Sequence, residues 1–105
     1  MSQKPPDMVE SFSLVEIKDL SFLNRTLGPA IQVLRRDRFT QHEMAELLTQ
    51  LLGKSFDQSM FARIELGRRK IKAHELIVVC HILECSTASL IRLAYDIAQA
   101  KAVSG

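Results

Sequence analysis

The sequence has no tryptophan, one tyrosine and only two cysteines. Two thiols cannot staple a disulfide-dense fold, so any stable domain must rely on an apolar core. Cys80 and Cys85 stand five apart in an apolar stretch, with His74 and His81 nearby. Their spacing follows no zinc pattern, and buried small thiols without a metal are the expectation. No internal repeat or low-complexity run is present, and no apolar run approaches the roughly 18 residues that span a bilayer. Met1 to Asp7 is polar and proline-containing, with none of the apolar stretch a signal peptide carries. A soluble, cytoplasmic protein is expected. Also missing are a glycine-rich phosphate loop, an HExxH motif and any serine or cysteine in a nucleophile context. The carboxylates are scattered. The reading is therefore not an enzyme, with no cofactor.

What is present is the composition of one globular domain: 105 residues, 47% hydrophobic and 25% charged. The net charge of +2 is modest, but it is unevenly spread. Residues 1–19 carry two bases against four acids, and residues 73–105 two against three. Residues 20–72 carry ten bases against five acids. A polyanion would be met by that middle section.

Residues 1–20 read as an N-terminal arm, and residues 21–105 as the domain. Within the arm, Phe12, Leu14 and Ile17 follow no single period, so residues 11–20 suit a short strand or a partner contact. From residue 22 the pattern is helical. Leu27, Ile31 and Leu34 form one apolar stripe, and Pro29 requires the helix to start near Thr26, where proline falls in the first turn. Arg35, Arg36 and Arg38 crowd the end of this helix, where cations suit the dipole. Thr40 with Glu43 spells a capping box for a second helix whose inward residues are Met44, Leu47, Leu48 and Leu51, closed by Gly53. Asp57 starts a third helix with Phe61 and Ile64 inward and Gly67 as its stop. A fourth spans Ala73 to Leu83, and Ser86 caps a fifth running to about Ala102. No segment reads as a core strand. The fold class expected is all-α, with five helices.

The stretches FTQHEMAELL, FDQSMFARIELGRRKI and ELIVVCHILECSTASLI resemble the Xre/lambda-repressor-like helix-turn-helix family, from about Leu27 to Leu93. Thr40-Gln41, the pair Ala45 and Gly53, and ARIELG carry the resemblance most specifically. The longer second helix and turn, AELLTQLLGKSFDQSMFARIE, resemble the POU-specific relative of that fold. Glu84 stands where the family often has glycine. The resemblance implies a lambda-repressor-like domain that lays the helix beginning near Asp57 into the major groove of double-stranded DNA.

In that arrangement Gln58, Ser59 and Met60 lead the helix toward the bases, with Arg63 one turn on. Glutamine presents a donor and an acceptor together to adenine, and a guanidinium pairs with guanine. Met60 would touch a thymine methyl or pack, and Arg63 would read a base or pair with Asp57 or Glu65. The resemblance implies that Gln41 contacts phosphate and braces Gln58, and that Arg35 and Glu65 form a salt bridge between the first and third helices. Lys54, Arg68, Arg69 and Lys70 are further candidates for backbone contacts.

The functional expectation is a sequence-specific transcriptional regulator, a homodimer on an inverted repeat. The tail from Tyr95 to Val103, together with residues 11–20, is a candidate dimer surface; packing of the tail on its own domain is the other reading. The alternative function is a protein-interaction module, such as an antitoxin or adaptor, with DNA binding secondary or absent.

Overall fold

A computed structural model describes residues 19–104, with side chains to Ala102. The described residues form five α-helices and no strand: α1 (Leu23–Arg35), α2 (Gln41–Leu52), α3 (Gln58–Glu65), α4 (Ala73–Leu83) and α5 (Thr87–Ser104). The arm expected over residues 1–20 lies outside the described residues, apart from Asp19 and Leu20.

The helix starts follow their capping residues. The Thr40 hydroxyl accepts from the Glu43 amide at 3.0 Å, and the Glu43 carboxylate accepts from the Thr40 amide at 2.8 Å. Both are amides that the helix itself leaves unpaired. The Asp57 carboxylate accepts from the Met60 amide, and the Ser86 hydroxyl from the Ser89 amide. Gly53 and Gly67 close α2 and α3 at φ 73° and 75°, conformations a side chain would strain. Glu84, in the place where glycine was expected, adopts the same left-handed conformation at φ 56°. Arg38 reaches across from the end of α1 to hold this corner. It donates to the Leu83 carbonyl at 2.6 Å and to the Glu84 carboxylate at 3.1 Å.

Two expectations are corrected. α1 begins at Leu23 rather than near Thr26, so Pro29 lies inside the helix. An interior proline costs about 3 kcal/mol. Tertiary packing offsets that cost. Phe22 is buried and stacks edge-on against Tyr95 of α5, with ring centres 5.5 Å apart. Thr26, also buried, donates its hydroxyl to the Phe22 carbonyl. Burying a phenylalanine contributes about 1.5–3 kcal/mol, which offsets much of that cost. Leu51 is the second correction. It is 51% exposed, not inward, because no described element covers the last turn of α2 on that side.

The core gathers Ile31, Met44, Leu48, Phe61, Val79 and Leu90, one or two residues from each helix. α1 packs most extensively on α5, and α2 on α3; α4 follows α2 and turns into α5 at 94°. Tyr95, Ile97 and Ala98 of the tail pack on this core, so much of the tail is occupied by its own domain. Cys80 is buried and Cys85 half-buried, and both are free thiols. Burial, together with its neighbour Cys85, pushes the Cys80 thiol up to about 12. Among the described residues, no helix is long and apolar enough by itself to cross a membrane.

Gly28 sets how closely α1 approaches α3. A Cβ there would collide with the carbonyl oxygens of Ile64 and Glu65. Those atoms belong to a helix end and cannot swing aside. Gly28→Ala should therefore destabilise the fold by about 3 kcal/mol in chemical denaturation. Gly53 also has a positive φ, but open space surrounds it. Gly53→Ala should cost only the backbone strain, about 1 kcal/mol.

Candidate nucleic-acid interface

The site is built outward from a buried ion pair. Arg35, in the last turn of α1, and Glu65, the last residue of α3, are 9% and 5% exposed. Arg35 Nε donates to Glu65 Oε2 at 2.6 Å and Nη2 to Oε1 at 3.1 Å, a two-pronged contact. Arg35 Nη1 donates to the Phe39 carbonyl at 3.0 Å. Glu65 Oε1 also accepts from Gln41 Nε2 at 2.8 Å, and Gln41 Oε1 accepts from Gln58 Nε2 at 3.2 Å. A continuous chain of hydrogen bonds thus runs from Arg35 in the interior to Gln58 at the surface.

The first turn of α3 is turned to solvent. Asp57, Gln58, Ser59 and Arg63 are exposed, while Phe61 and Ile64 are buried behind them. Gln58 spends one amide hydrogen on Gln41, which leaves an oxygen and a second hydrogen facing outward. Ser59 donates its hydroxyl to Asp57 Oδ1 at 2.9 Å. In that state it offers only lone pairs, which suit the amino group of a base and not a phosphate. The Met60 amide and then the Ser59 hydroxyl hold the Asp57 carboxyl below its ordinary range, with a smaller contribution from Arg63. Arg63 forms no ion pair with Asp57, and Glu65 is taken by Arg35. Met60 is half-buried and packs against the core, so it sits on the flank of this surface.

The candidate cations around α3 separate into two kinds. Lys54, Arg68 and Lys70 are exposed. Arg69 is not available in the same way. Its guanidinium donates to both oxygens of Glu75 at 3.0 and 3.1 Å and lies 5.1 Å from the centre of the Phe56 ring. Glu75 is 1% exposed. Arg69 is therefore reassigned from a phosphate contact to a strut between the α3–α4 loop and α4. Arg36 was not among the candidate cations of the sequence reading. It lines an open hollow of about 560 Å³ with Arg38, Thr40, Gln41, His42 and Gln58, beside the start of α2. The run Arg35-Arg36-Asp37-Arg38 was the available signal, but as sequence it spoke only of the helix dipole.

This arrangement offers a donor–acceptor pair on Gln58, the guanidinium of Arg63 on the same short helix and exposed cations in the adjoining loops. Such a set can hydrogen-bond base edges and neutralise phosphates. Among the described residues, no group of three or more His, Cys, Asp or Glu side chains converges on a common point. No family model, curated protein or solved structure matches the chain.

The strut generates a prediction. Arg69→Ala leaves Glu75 buried without its partner and should cost about 3 kcal/mol or more in stability. The hydrogen bond from Arg69, then the Lys72 amide, holds the Glu75 carboxyl below its ordinary value of 4.5. Its contribution is therefore fully present above that value and is lost as pH falls through the lower folded value. The thermal midpoint of the wild type should drop on acidification below about 4.5, and Glu75→Gln should flatten that drop.

Proposed function

We propose that this protein is a sequence-specific double-stranded DNA-binding regulator of transcription with a lambda-repressor-like helix-turn-helix made of α2 and α3. The reading is carried by one observation. The outward residues at the start of α3 include Gln58, which is hydrogen-bonded to Gln41 and through it to the buried Glu65–Arg35 pair. A side chain held this firmly in the interior of an enzyme would be unremarkable. At an exposed helix start it is preorganised for contact from outside.

In this reading α3 enters the major groove. Gln58 pairs with adenine N6 and N7, Arg63 with guanine O6 and N7, and Ser59 accepts from a base amino group. Gln41, Arg36, Lys54, Arg68 and Lys70 meet phosphates, with help from the open amides at the start of α2. One such surface spans few base pairs, so two copies on an inverted repeat supply the specificity. The exposed Leu51 and Ile77, at 51% and 62%, favour a second reading in which a protein partner is bound. The two readings are separated by titration against DNA fragments at several salt concentrations.

Selection of bound sites from random DNA should return a short, two-fold-symmetric sequence. Gln58→Ala and Arg63→Ala should each lose about 1–3 kcal/mol on that site and relax the preference at one position. Arg68→Ala should weaken all DNA alike and reduce the salt slope by about one. A Gln58→Ala protein with unchanged sequence preference would remove α3 from the reading role.

A further inference from the structure

The end of α4 brings together two side chains that the DNA reading leaves unused. The Cys85 amide donates to the Cys80 carbonyl at 3.0 Å, and the Glu84 amide to the His81 carbonyl at 3.2 Å. With Glu84 left-handed, these two bonds make a Schellman cap. Such a cap draws the side chain just past the left-handed residue onto that of the helix residue whose carbonyl it binds, and the contact is ordinarily apolar. Here both positions are cysteine. Cys80 is 4% exposed and Cys85 is half-buried, and both line an open hollow of about 640 Å³ with Phe39, Leu47 and His81. The proximity is felt by Cys80, whose thiol is pushed up to about 12 by burial first and then by the neighbouring Cys85.

We infer that Cys80 and Cys85 form a dithiol site that closes to an intrachain disulfide by exchange with a low-molecular-weight disulfide such as that of glutathione. Distance permits it. The bond between the Cys85 amide and the Cys80 carbonyl, with ordinary backbone lengths, holds the two Cα atoms within roughly 7 Å, the outer limit for bridging. Access sets the order of events. Cys85 is the thiol that a reagent meets first. It loses its proton to water, and its sulfur attacks one sulfur of the reagent, whose S–S bond breaks to release one thiol. Cys80 then gives up its proton and attacks the Cys85 sulfur, releasing the second thiol. Two protons and two electrons pass from the pair to the reagent, which departs as two thiols. Cys80 holds its proton tightly, so the second step is the slow one.

The closed ring joins the last turn of α4 to the residue just past its cap. It fixes Glu84 in its left-handed conformation, and with it the corner at which α4 turns into α5, which Arg38 already holds from the end of α1. Cys80 and Cys85 lie outside the surface proposed to meet DNA, so the inference does not rest on that reading.

The test incubates the folded full chain with mixtures of reduced and oxidised glutathione, quenches with excess N-ethylmaleimide in urea and reads intact mass before and after digestion. With oxidised glutathione in excess, the expected product is a monomer two hydrogens lighter that takes no maleimide. The loss should be confined to the tryptic peptide 73–92, which carries both cysteines. Cys80→Ala should stop at one glutathione on Cys85, and Cys85→Ala should leave Cys80 unmodified over the same period. Because the cap preorganises the pair, the ratio of closed to open protein at a fixed glutathione mixture should fall about tenfold or more when the chain is unfolded in urea. A wild type that keeps two maleimide-reactive thiols, or that stops at the mixed disulfide, would overturn the inference. So would a disulfide found only between copies, or a closed fraction unchanged by unfolding.

Discussion

The contact between Arg35 and Glu65 governs the geometry of everything at the surface. Both charges are almost completely removed from water, which costs several kcal/mol for each before any contact is made. The offset comes from four hydrogen bonds with little slack: two between the pair, one to the Phe39 carbonyl and one from Gln41. Apolar residues of equal volume would serve stability as well or better. They would not serve position, because methyl groups tolerate sliding and a two-pronged ion pair does not. The end of α1, the start of α2 and the end of α3 are thereby tied to one point. Gln58 receives its orientation from that point through a single intermediate side chain.

A second ion pair does comparable work for the loop that follows α3. Arg69 and Glu75 join the loop to α4, and the Phe56 ring packs beneath the guanidinium. Ordering a loop costs conformational entropy. Here backbone hydrogen bonds help to offset it, since the amides of Arg68 and Arg69 both donate to the Arg63 carbonyl. Adjacent arginines and a lysine that look equivalent in the sequence have therefore been given different tasks. One cation is internal structure, and its neighbours point outward.

Close backbone approach supplies the third constraint. With no Cβ at Gly28, α1 lies directly against the last carbonyls of α3. This brings Arg35 within reach of Glu65 and shapes a hollow between α1 and the loop, whose wall Gly28 shares with Ile64. The interior proline one residue later is consistent with the same priority. Helix regularity yields where tight packing against α3 and α5 returns more than one lost hydrogen bond.

Helix existence was legible because its signals are local. The capping pair Thr40 and Glu43, the caps Asp57 and Ser86, and the stops at Gly53 and Gly67 each act within one turn, and each holds in the structure. The all-helical class follows from them with the apolar periodicity. Distances across the fold were not available to such reasoning. Nothing within one turn of Thr26 shows that Phe22 has Tyr95 to pack on, so the start of α1 was displaced. Leu51 fits the helical stripe, yet whether a stripe residue is covered depends on where the next helix lies. Arg69 resembles Arg68 until Glu75 folds back toward it. The sequence by itself determined where helices start, stop and turn an apolar face inward, since backbone capping and side-chain period are short-range. Tertiary structure alone decided which charges are buried as pairs and which remain free, because a charge's role depends on neighbours distant in the chain.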